Sequence, residues 1–248
     1  GSFTMTGGNI VGCLATTTND NTYGGGIYNS GATTLSGSAA IWDCHAIECG
    51  DGKWYEGGGV RSSGGSLTIS GDVTIRDCTA DAYCYALYAA NNDWRNKNVS
   101  ITGGTFYGSV YLDRNTSVTD GEFTGTVINE GGEIKGGTFH DAVNNYGRLV
   151  NYTNTGTIEN GNFYGAVNNT GGTIENGTFY GTVTNKSHDR KGESDPSSIT
   201  GGTFYGSVIN EGASSFYRIA GSITGGTFKK DLKTSFVTGV GEEDLVRS

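Results

Sequence analysis

Apolar positions in the second half of the chain recur at fixed distances from phenylalanine. An aliphatic residue stands five positions before each phenylalanine, a glycine stands two positions before it, and a second aliphatic residue stands four positions after it. The phenylalanines that share this pattern are Phe106, Phe123, Phe139, Phe163, Phe179, Phe204 and Phe228. Consecutive members are 16 to 25 residues apart. Such regularity indicates an internal repeat.

Short strands account for this spacing better than helices. A helix needs apolar residues every three or four positions over a longer stretch, whereas here brief β-branched and aromatic segments are interrupted by glycine and asparagine. A unit of 16 residues cannot bury its own apolar side, so equivalent residues of successive units are expected to stack. The prediction is an all-β fold, a single-stranded parallel β-helix whose isoleucine, phenylalanine and valine columns fill the inside.

Asparagine follows the second aliphatic position at a distance of two residues. The members of this set are Asn129, Asn145, Asn169, Asn185 and Asn210. Asparagine tolerates left-handed backbone, and its amide can bond to the amide of the next coil. We therefore expect an asparagine ladder at one corner of the solenoid.

The first half follows the same rules with longer coils. Ile10, Ile41 and Ile75 are 31 and 34 positions apart, and Phe106 follows after another 31. The segments GGGIY and GGGVR mark a second corner of these wider coils. The prediction is one continuous solenoid with wide coils over 1–100 and narrow coils of about 16 residues over 101–248.

Three cysteines, Cys13, Cys44 and Cys78, each stand three residues after one of those isoleucines. Buried free cysteine behaves as a small apolar residue, so a packing column is favoured over a redox or metal role. Cys49 and Cys84 could be neighbours on adjacent coils, where the strand spacing would permit a disulfide. No zinc site is expected, because the cysteine spacings lack a suitably placed histidine.

Composition and charge narrow the classes of function. The chain has 44 glycines and one proline in 248 residues, which is typical of neither collagen nor a disordered linker. Its formal net charge of -9 would repel a phosphate backbone, so no nucleic-acid partner is expected. No apolar run is long enough for a membrane-spanning helix, so we expect no membrane insertion. Few cationic residues and abundant Thr, Asn, Gly and Tyr favour an extracellular protein.

Alternating segments such as FTMTGG, GGGIY and TLSG carry a resemblance to a known class. Over most of its length the chain resembles the Gly-rich parallel β-helix repeat regions of large surface adhesins of Gram-positive gut bacteria. The resemblance implies right-handed coils, a secreted or cell-wall attached location, and a role in adhesion or glycan contact. It also implies a segment of a longer bacterial protein, and it supplies no catalytic residues.

The candidate binding surface lies next to the phenylalanine column. Because strand side chains alternate, the residue after each inward phenylalanine points outward. Tyr164, Tyr180 and Tyr205 are then expected to form a row with one ring per coil, and Tyr107 and His140 hold equivalent positions. Aromatic rings beside amides and hydroxyls suit a sugar chain or a partner protein. Alternatively, the row only stabilises the sheet, by about 0.2–1 kcal/mol per pair.

Asp43 and Asp77 are the candidates for acid–base chemistry. They are expected on neighbouring coils, close enough for each carboxylate to perturb the other. No third acid, histidine or arginine is expected to cluster with them, and an exposed aspartate column explains them equally well. His45, His140 and His188 are expected to be isolated. The loop over 19–21 could offer oxygen ligands to calcium, but turn chemistry explains its composition as well.

Two further surface features are predicted. Extra residues in the longer repeats, at 147–154, 187–198 and 213–221, should protrude from one edge, as binding loops or as tolerated insertions. Aromatic residues of the wide coils are expected to form a separate patch that includes Trp42, Trp54, Trp94, Tyr55, Tyr83, Tyr85 and Tyr88.

The expected function is non-enzymatic: an extracellular adhesin or binding segment that presents an extended face to a host glycan or a surface protein. The alternatives are a carbohydrate-active enzyme, either a polysaccharide lyase or a glycoside hydrolase, and a structural stalk without a ligand. No cofactor and no metal are expected.

Overall fold

The structure is a computed structural model that describes residues 1–17, 22–48, 55–80, 85–89, 98–147, 155–190, 193–211, 221–230 and 232–234. Every regular element among these residues is a β-strand. The chain forms two compact units, Gly1–Thr126 and Val127–Ser248.

Among its described residues the first unit contains 17 short strands. In chain order they are β1 Ser2–Met5, β2 Asn9–Val11, β3 Leu14–Thr17, β4 Thr22–Tyr23, β5 Ile27–Asn29, β6 Ala32–Leu35, β7 Ala40–Trp42, β8 His45–Glu48, β9 Tyr55–Glu56, β10 Val60–Ser62, β11 Leu67–Ile69, β12 Thr74–Arg76, β13 Thr79–Ala80, β14 Tyr85–Ala89, β15 Val99–Tyr107, β16 Ser109–Asp113 and β17 Thr116–Phe123.

Strands of the first unit pair in parallel with their counterparts one coil later. One series runs β1, β6, β11, β15 and β17, and a second runs β2, β7, β12 and β15. A third joins β5, β10, β14 and β16, a fourth joins β3, β8 and β13, and β4 pairs with β9. Leu67 pairs with Val99, and Val99 pairs with Thr116, so the coil shortens from 32 residues to 17 at this point. The predicted narrowing is confirmed.

In the described part of the second unit there are 18 strands. They are β18 Val127–Glu130, β19 Glu133–Ile134, β20 Thr138–Phe139, β21 Val143–Tyr146, β22 Thr157–Ile158, β23 Asn162–Phe163, β24 Val167–Thr170, β25 Thr173–Ile174, β26 Thr178–Phe179, β27 Val183–Lys186, β28 His188–Arg190, β29 Glu193–Asp195, β30 Ser198–Ile199, β31 Thr203–Phe204, β32 Val208–Glu211, β33 Ser222–Ile223, β34 Thr227–Phe228 and β35 Leu232–Thr234.

Each narrow coil contributes three strands, which join three parallel series. The isoleucine series is β19, β22, β25, β30 and β33. The phenylalanine series is β20, β23, β26, β31 and β34. The valine series is β18, β21, β24, β27, β32 and β35. One antiparallel hairpin, β28 with β29, rises from the predicted insertion at 187–198. The predicted fold class, a parallel β-helix, is confirmed.

The repeated apolar residues line the inside of each coil. Fully buried side chains of the second unit include Ile158, Phe163 and Val167 of one coil and Ile174 and Phe179 of the next. Phenylalanine rings of adjacent coils stack with centroids 4.8 to 4.9 Å apart. The three predicted apolar columns are therefore the core.

Glycine two positions before each phenylalanine has a positive φ in all seven copies. At Gly177 φ is 138°, and a Cβ there would lie 3.0 Å from the Phe179 ring. Both the backbone conformation and the close ring require glycine at this position.

The asparagine ladder is confirmed, with one correction. Side-chain Nδ2 atoms donate to the Oδ1 atoms of the next coil over 2.7 to 2.8 Å along the series Asn129, Asn145, Asn169, Asn185 and Asn210. These asparagines do not occupy left-handed backbone, which among the described non-glycine residues occurs only at Asp43, Asp77 and Asn115. They lie inside the valine-series strands with their side chains buried, so inward hydrogen bonding explains them.

Candidate binding surface

Tyr164, Tyr180 and Tyr205, here called the tyrosine row, lie in one line on the outside of the second unit. The ring centroids of Tyr164 and Tyr180 are 4.7 Å apart with 5° between the planes, and those of Tyr180 and Tyr205 are 5.1 Å apart with 7°. His140 extends the row by one coil, with its ring 5.5 Å from that of Tyr164. The predicted row is confirmed within this unit, and its role in binding stays a prediction.

Backbone register produces this alignment. Phe179 pairs with Phe163 on one side and with Phe204 on the other. The Tyr180 amide donates to the Phe163 carbonyl over 2.8 Å, and the Tyr205 amide donates to the Phe179 carbonyl over 2.7 Å. Because each tyrosine follows a phenylalanine held in register, its ring repeats at the interval of the coils.

The ring edges and hydroxyl groups of the tyrosine row face solvent. Half of the surface of Tyr164 is exposed to solvent. For Tyr180 and for Tyr205 the exposed fraction is 44%. Tyr180 has a neighbouring ring against each of its faces. The apolar faces are therefore covered by one another, and a partner meets a series of edges, each with a phenol oxygen.

Small residues border the row on both sides. Asn162, Thr178 and Thr203 stand two positions before the tyrosines, and Gly165, Gly181 and Gly206 directly follow them. A Cβ at Gly181 would lie 2.1 Å from the Gly165 carbonyl oxygen, so the close approach of adjacent coils requires glycine there. The tyrosines consequently form a ridge above these small neighbouring residues.

At the tyrosine positions and the positions directly after them, the described coils from His140 to Lys230 have charged residues in the first and the last coil. Asp141 follows His140 in the first coil, and the exposed pair Lys229 and Lys230 occupies the corresponding positions in the last coil. The three coils between them have tyrosine followed by glycine at these positions. The ridge is thus uncharged along its middle, with an acid at one end and two cations at the other.

Tyr107 belongs to the first unit, where the outward residues differ. Its backbone neighbours in successive coils are Arg76, Trp42 and Val11. The Arg76 guanidinium lies over the Trp42 ring, 4.7 Å from its centroid, which is a cation–π contact. Tyr107 is half exposed, but it follows an arginine and not another tyrosine.

Asp43 and Asp77 lie on neighbouring coils as predicted, at left-handed positions with φ of 54° and 55°. Gly12 holds the equivalent place in the preceding coil with φ of 62°. Aspartate is one of the few residues that adopts this backbone readily. The geometry of the corner therefore explains both aspartates, and more than half of each side chain is exposed.

The expectation that no histidine or arginine accompanies these aspartates is wrong. His45 Nε2 lies 3.0 Å from Asp43 Oδ1, and its Nδ1 lies 2.7 Å from the Thr79 hydroxyl of the next coil. Arg76 forms an ion pair with Asp77. At the left-handed corner the adjacent side chains of Arg76 and Asp77 meet, although an alternating strand pattern would place them on opposite sides.

A second aromatic column, not predicted as a unit, runs along the series β5, β10, β14 and β16. Its members in register are Tyr28, Arg61, Tyr88 and Tyr111. The buried Arg61 guanidinium lies 4.5 Å from the Tyr88 centroid and 5.1 Å from that of Tyr23. Of the predicted wide-coil patch, Tyr85 and Tyr88 join this cluster, whereas Trp42 lies in another strand series.

The cysteine column agrees with the favoured packing role. Cys44 and Cys78 are buried, Cys13 is half-buried, and all three thiols are free. Burial raises the pKa of the Cys78 thiol to about 12 and also raises the pKa of Cys44. A thiol that keeps its proton is a poor nucleophile and a poor metal ligand.

Several predicted features fall outside the described residues: Cys49, Cys84, Trp54, Trp94, Tyr83, the 19–21 loop and most of the insertions at 147–154 and 213–221. The same holds for the side chains of Tyr55 and His188. Among the residues that the structure does describe, there is no group of three or more His, Cys, Asp or Glu side chains that could hold a metal ion. No helix in that part of the chain is long and apolar enough to cross a membrane.

Comparison with known proteins gives no relative: no family model, no curated protein and no solved structure matches this chain.

Proposed function

We propose that this chain is a non-enzymatic, extracellular binding segment of the adhesin type, and that the tyrosine row is its contact surface. One observation carries the proposal: three large aromatic side chains stand exposed in a line on stacked coils, with ring centroids 4.7 and 5.1 Å apart. Exposed aromatic residues in a continuous line are characteristic of interaction sites. The expected partner is an extended molecule, a host glycan or a surface protein.

The chemistry around the row supports such a partner. Tyrosine combines apolar area with a hydroxyl that donates and accepts hydrogen bonds, and it loses little conformational entropy on binding. Stacking within the row holds each ring in place before binding, so less ordering is needed when a partner arrives.

The test is binding to a glycan array and to a panel of surface proteins. The double variant Tyr164→Ala, Tyr180→Ala should lose binding while the circular dichroism spectrum is retained. The matched control is Tyr28→Ala, which removes an equally exposed tyrosine from the first unit. Equal binding by the wild type and the double variant would eliminate the tyrosine row as the contact surface.

A second candidate function, cleavage of a polysaccharide, is favoured by one observation. The Thr79 hydroxyl, the His45 imidazole and the Asp43 carboxylate form a connected series across two coils. An imidazole held by a carboxylate can act as the general base that a polysaccharide lyase needs. If this function operates, turnover in a polysaccharide screen should occur with the wild type and disappear in Asp43→Asn and in His45→Ala. A wild type without turnover on any polysaccharide would exclude it.

A further inference from the structure

The repeat interval of the tyrosine row restricts what can contact all of its rings alike. A partner that places one group against each ring must itself repeat at 4.7 to 5.1 Å. Strands of a β-sheet are spaced about 4.7–4.9 Å apart, so a stack of coils supplies this interval on its outer surface. A second copy of this chain has the same tyrosine row and therefore repeats at the same interval.

The orientation of the rings favours a protein partner over a sugar stacked on the aromatic faces. Sugar rings stack on open aromatic faces, but here each face of Tyr180 is covered by a neighbouring tyrosine. What remains are edges and hydroxyls that form a ridge bordered by glycine, threonine and asparagine. Such a ridge can pack against the strip of small residues that borders the same ridge in a second copy of the chain. Side chains interdigitate in this way between paired sheets.

Resting on the proposed function of the tyrosine row as a contact surface, we propose that its partner is the tyrosine row of a second copy of this chain, packed in antiparallel orientation. A two-fold axis at Tyr180 sets Tyr164 of one copy against Tyr205 of the other. Two-fold contacts of this kind use the same patch on both copies, which is the commonest symmetry of protein pairs.

Charge at the ends of the ridge selects the antiparallel orientation. With the axis at Tyr180, Asp141 of each copy meets Lys229 and Lys230 of the other. A parallel arrangement would instead set the lysine pairs of the two copies against each other. Like charges placed opposite one another disfavour that arrangement, and opposite charges favour the antiparallel one.

The contact should be weak for isolated copies. From His140 to Lys229 the ridge covers four coil intervals, roughly 19 Å at the usual strand spacing. That is short for a stable interface, which covers about 800 Å² on each partner. Many copies presented on a surface would associate far more firmly than two copies in solution, because the later contacts form at high effective concentration.

Cross-linking tests the register. In Tyr180→Cys the new thiols of two copies should meet on the axis, so mild oxidation should give a covalent dimer. Tyr164→Cys alone should give much less dimer, since its expected partner is position 205, and a mixture of Tyr164→Cys with Tyr205→Cys should restore it. The wild type, with its native cysteines, measures background oxidation. Equal cross-linking by all single variants would overturn the proposed register.

Charge reversal tests the orientation, read by sedimentation equilibrium of the full chain. Lys229→Glu with Lys230→Glu should weaken association about tenfold, and adding Asp141→Lys should restore it. The reversal variants leave the tyrosines in place, so folding defects are recognised by circular dichroism and by recovery in the triple variant. The proposal would be overturned if the charge reversal left the strength of association unchanged, or if the chain stayed monomeric at every concentration tested.

The outcomes separate this proposal from the proposed function. A monomeric chain that binds a glycan or another protein through the tyrosine row overturns the self-association and leaves the binding function standing. Association that follows the expected cross-linking register and responds to the charge reversal supports both. If the chain shows neither association nor any tyrosine-dependent binding, both proposals are overturned.

Discussion

The ring of Phe179 lies flat against that of Phe163 inside the second unit, with 4.8 Å between their centroids and 9° between their planes. Phe204 continues the stack on the other side at the same distance. Every coil of this unit is therefore joined to the next by an aromatic contact in the core as well as by backbone hydrogen bonds. In the first unit the same column contains Ile75, which pairs with Phe106.

Phe179→Ala should lower the free energy of unfolding by about 3–5 kcal/mol, because a fully buried ring is removed from between two others and leaves a cavity. Phe179→Ile should cost clearly less, since isoleucine occupies this column in the wide coils. Urea denaturation followed by circular dichroism measures both. Equal losses for the two variants would show that ring stacking, and not filled volume, stabilises the column.

Asn169→Leu should destabilise the chain by about 1–3 kcal/mol per hydrogen-bonding group left unpaired. In the native chain Asn145 Nδ2 donates to Asn169 Oδ1, and Asn169 Nδ2 donates to Asn185 Oδ1, so one substitution breaks the ladder in two places. The neighbouring Asn168→Thr is the control, because the next coil has Thr184 at that position. A ladder that contributes nothing would leave the urea midpoints of both variants alike.

Asp77→Gly should leave stability nearly unchanged, whereas Asp77→Val should reduce it by about 1–2 kcal/mol. The backbone at this corner is left-handed, which glycine adopts freely and a β-branched residue does not. Thermal unfolding of both variants checks this. A valine variant as stable as the glycine variant would mean that the corner relaxes to another conformation.

Raising the pH above about 9 should destabilise the folded chain in part through Cys78. Its pKa is about 12 in the folded state, while an unfolded cysteine ionises near 8.5. Between these values the unfolded chain has released this proton and the folded chain retains it, so stability falls as the pH rises. The fall between pH 9 and pH 11 should be smaller in Cys78→Ala than in the wild type. Identical slopes in denaturation experiments across this range would contradict the burial of this thiol.

Thiol labelling gives an independent measure of the same column. The half-buried Cys13 should react with a maleimide in the folded chain, whereas Cys44 and Cys78 should react only after unfolding. Peptide mass mapping after labelling assigns the sites. Rapid labelling of Cys44 in the folded chain would show that the coils above it open.

The repeated spacing was sufficient to predict the columns of the second unit. Glycine, phenylalanine and asparagine each occupy one position per coil. Residues at the same position of the repeat, such as Phe163 and Phe179, therefore lie in the same column of the structure. The face-to-face orientation of the tyrosines could not be predicted, because alternation sets the side of a strand on which a ring lies and not the direction of its plane.

The contacts of the wide coils escaped prediction for a different reason. Their period varies, and their corners change the direction of the chain, so the distance along the sequence no longer indicates which side chains meet. His45 meets Asp43 at a corner where the Asp43 backbone is left-handed. Arg61 is in register with Tyr28, 33 residues earlier, and with Tyr88, 27 residues later, so no single period places it in this tyrosine column.

The amides of the asparagine ladder all donate in one direction, from each coil to the following one, and the last, Asn210, donates to the Gly221 carbonyl. A column built this way has no special middle member, so a whole coil can be inserted or deleted and the remaining amides still find partners. Gene duplication or loss of a single repeat would therefore change the length of such a protein in fixed increments, while both ends and the outward pattern of side chains are preserved.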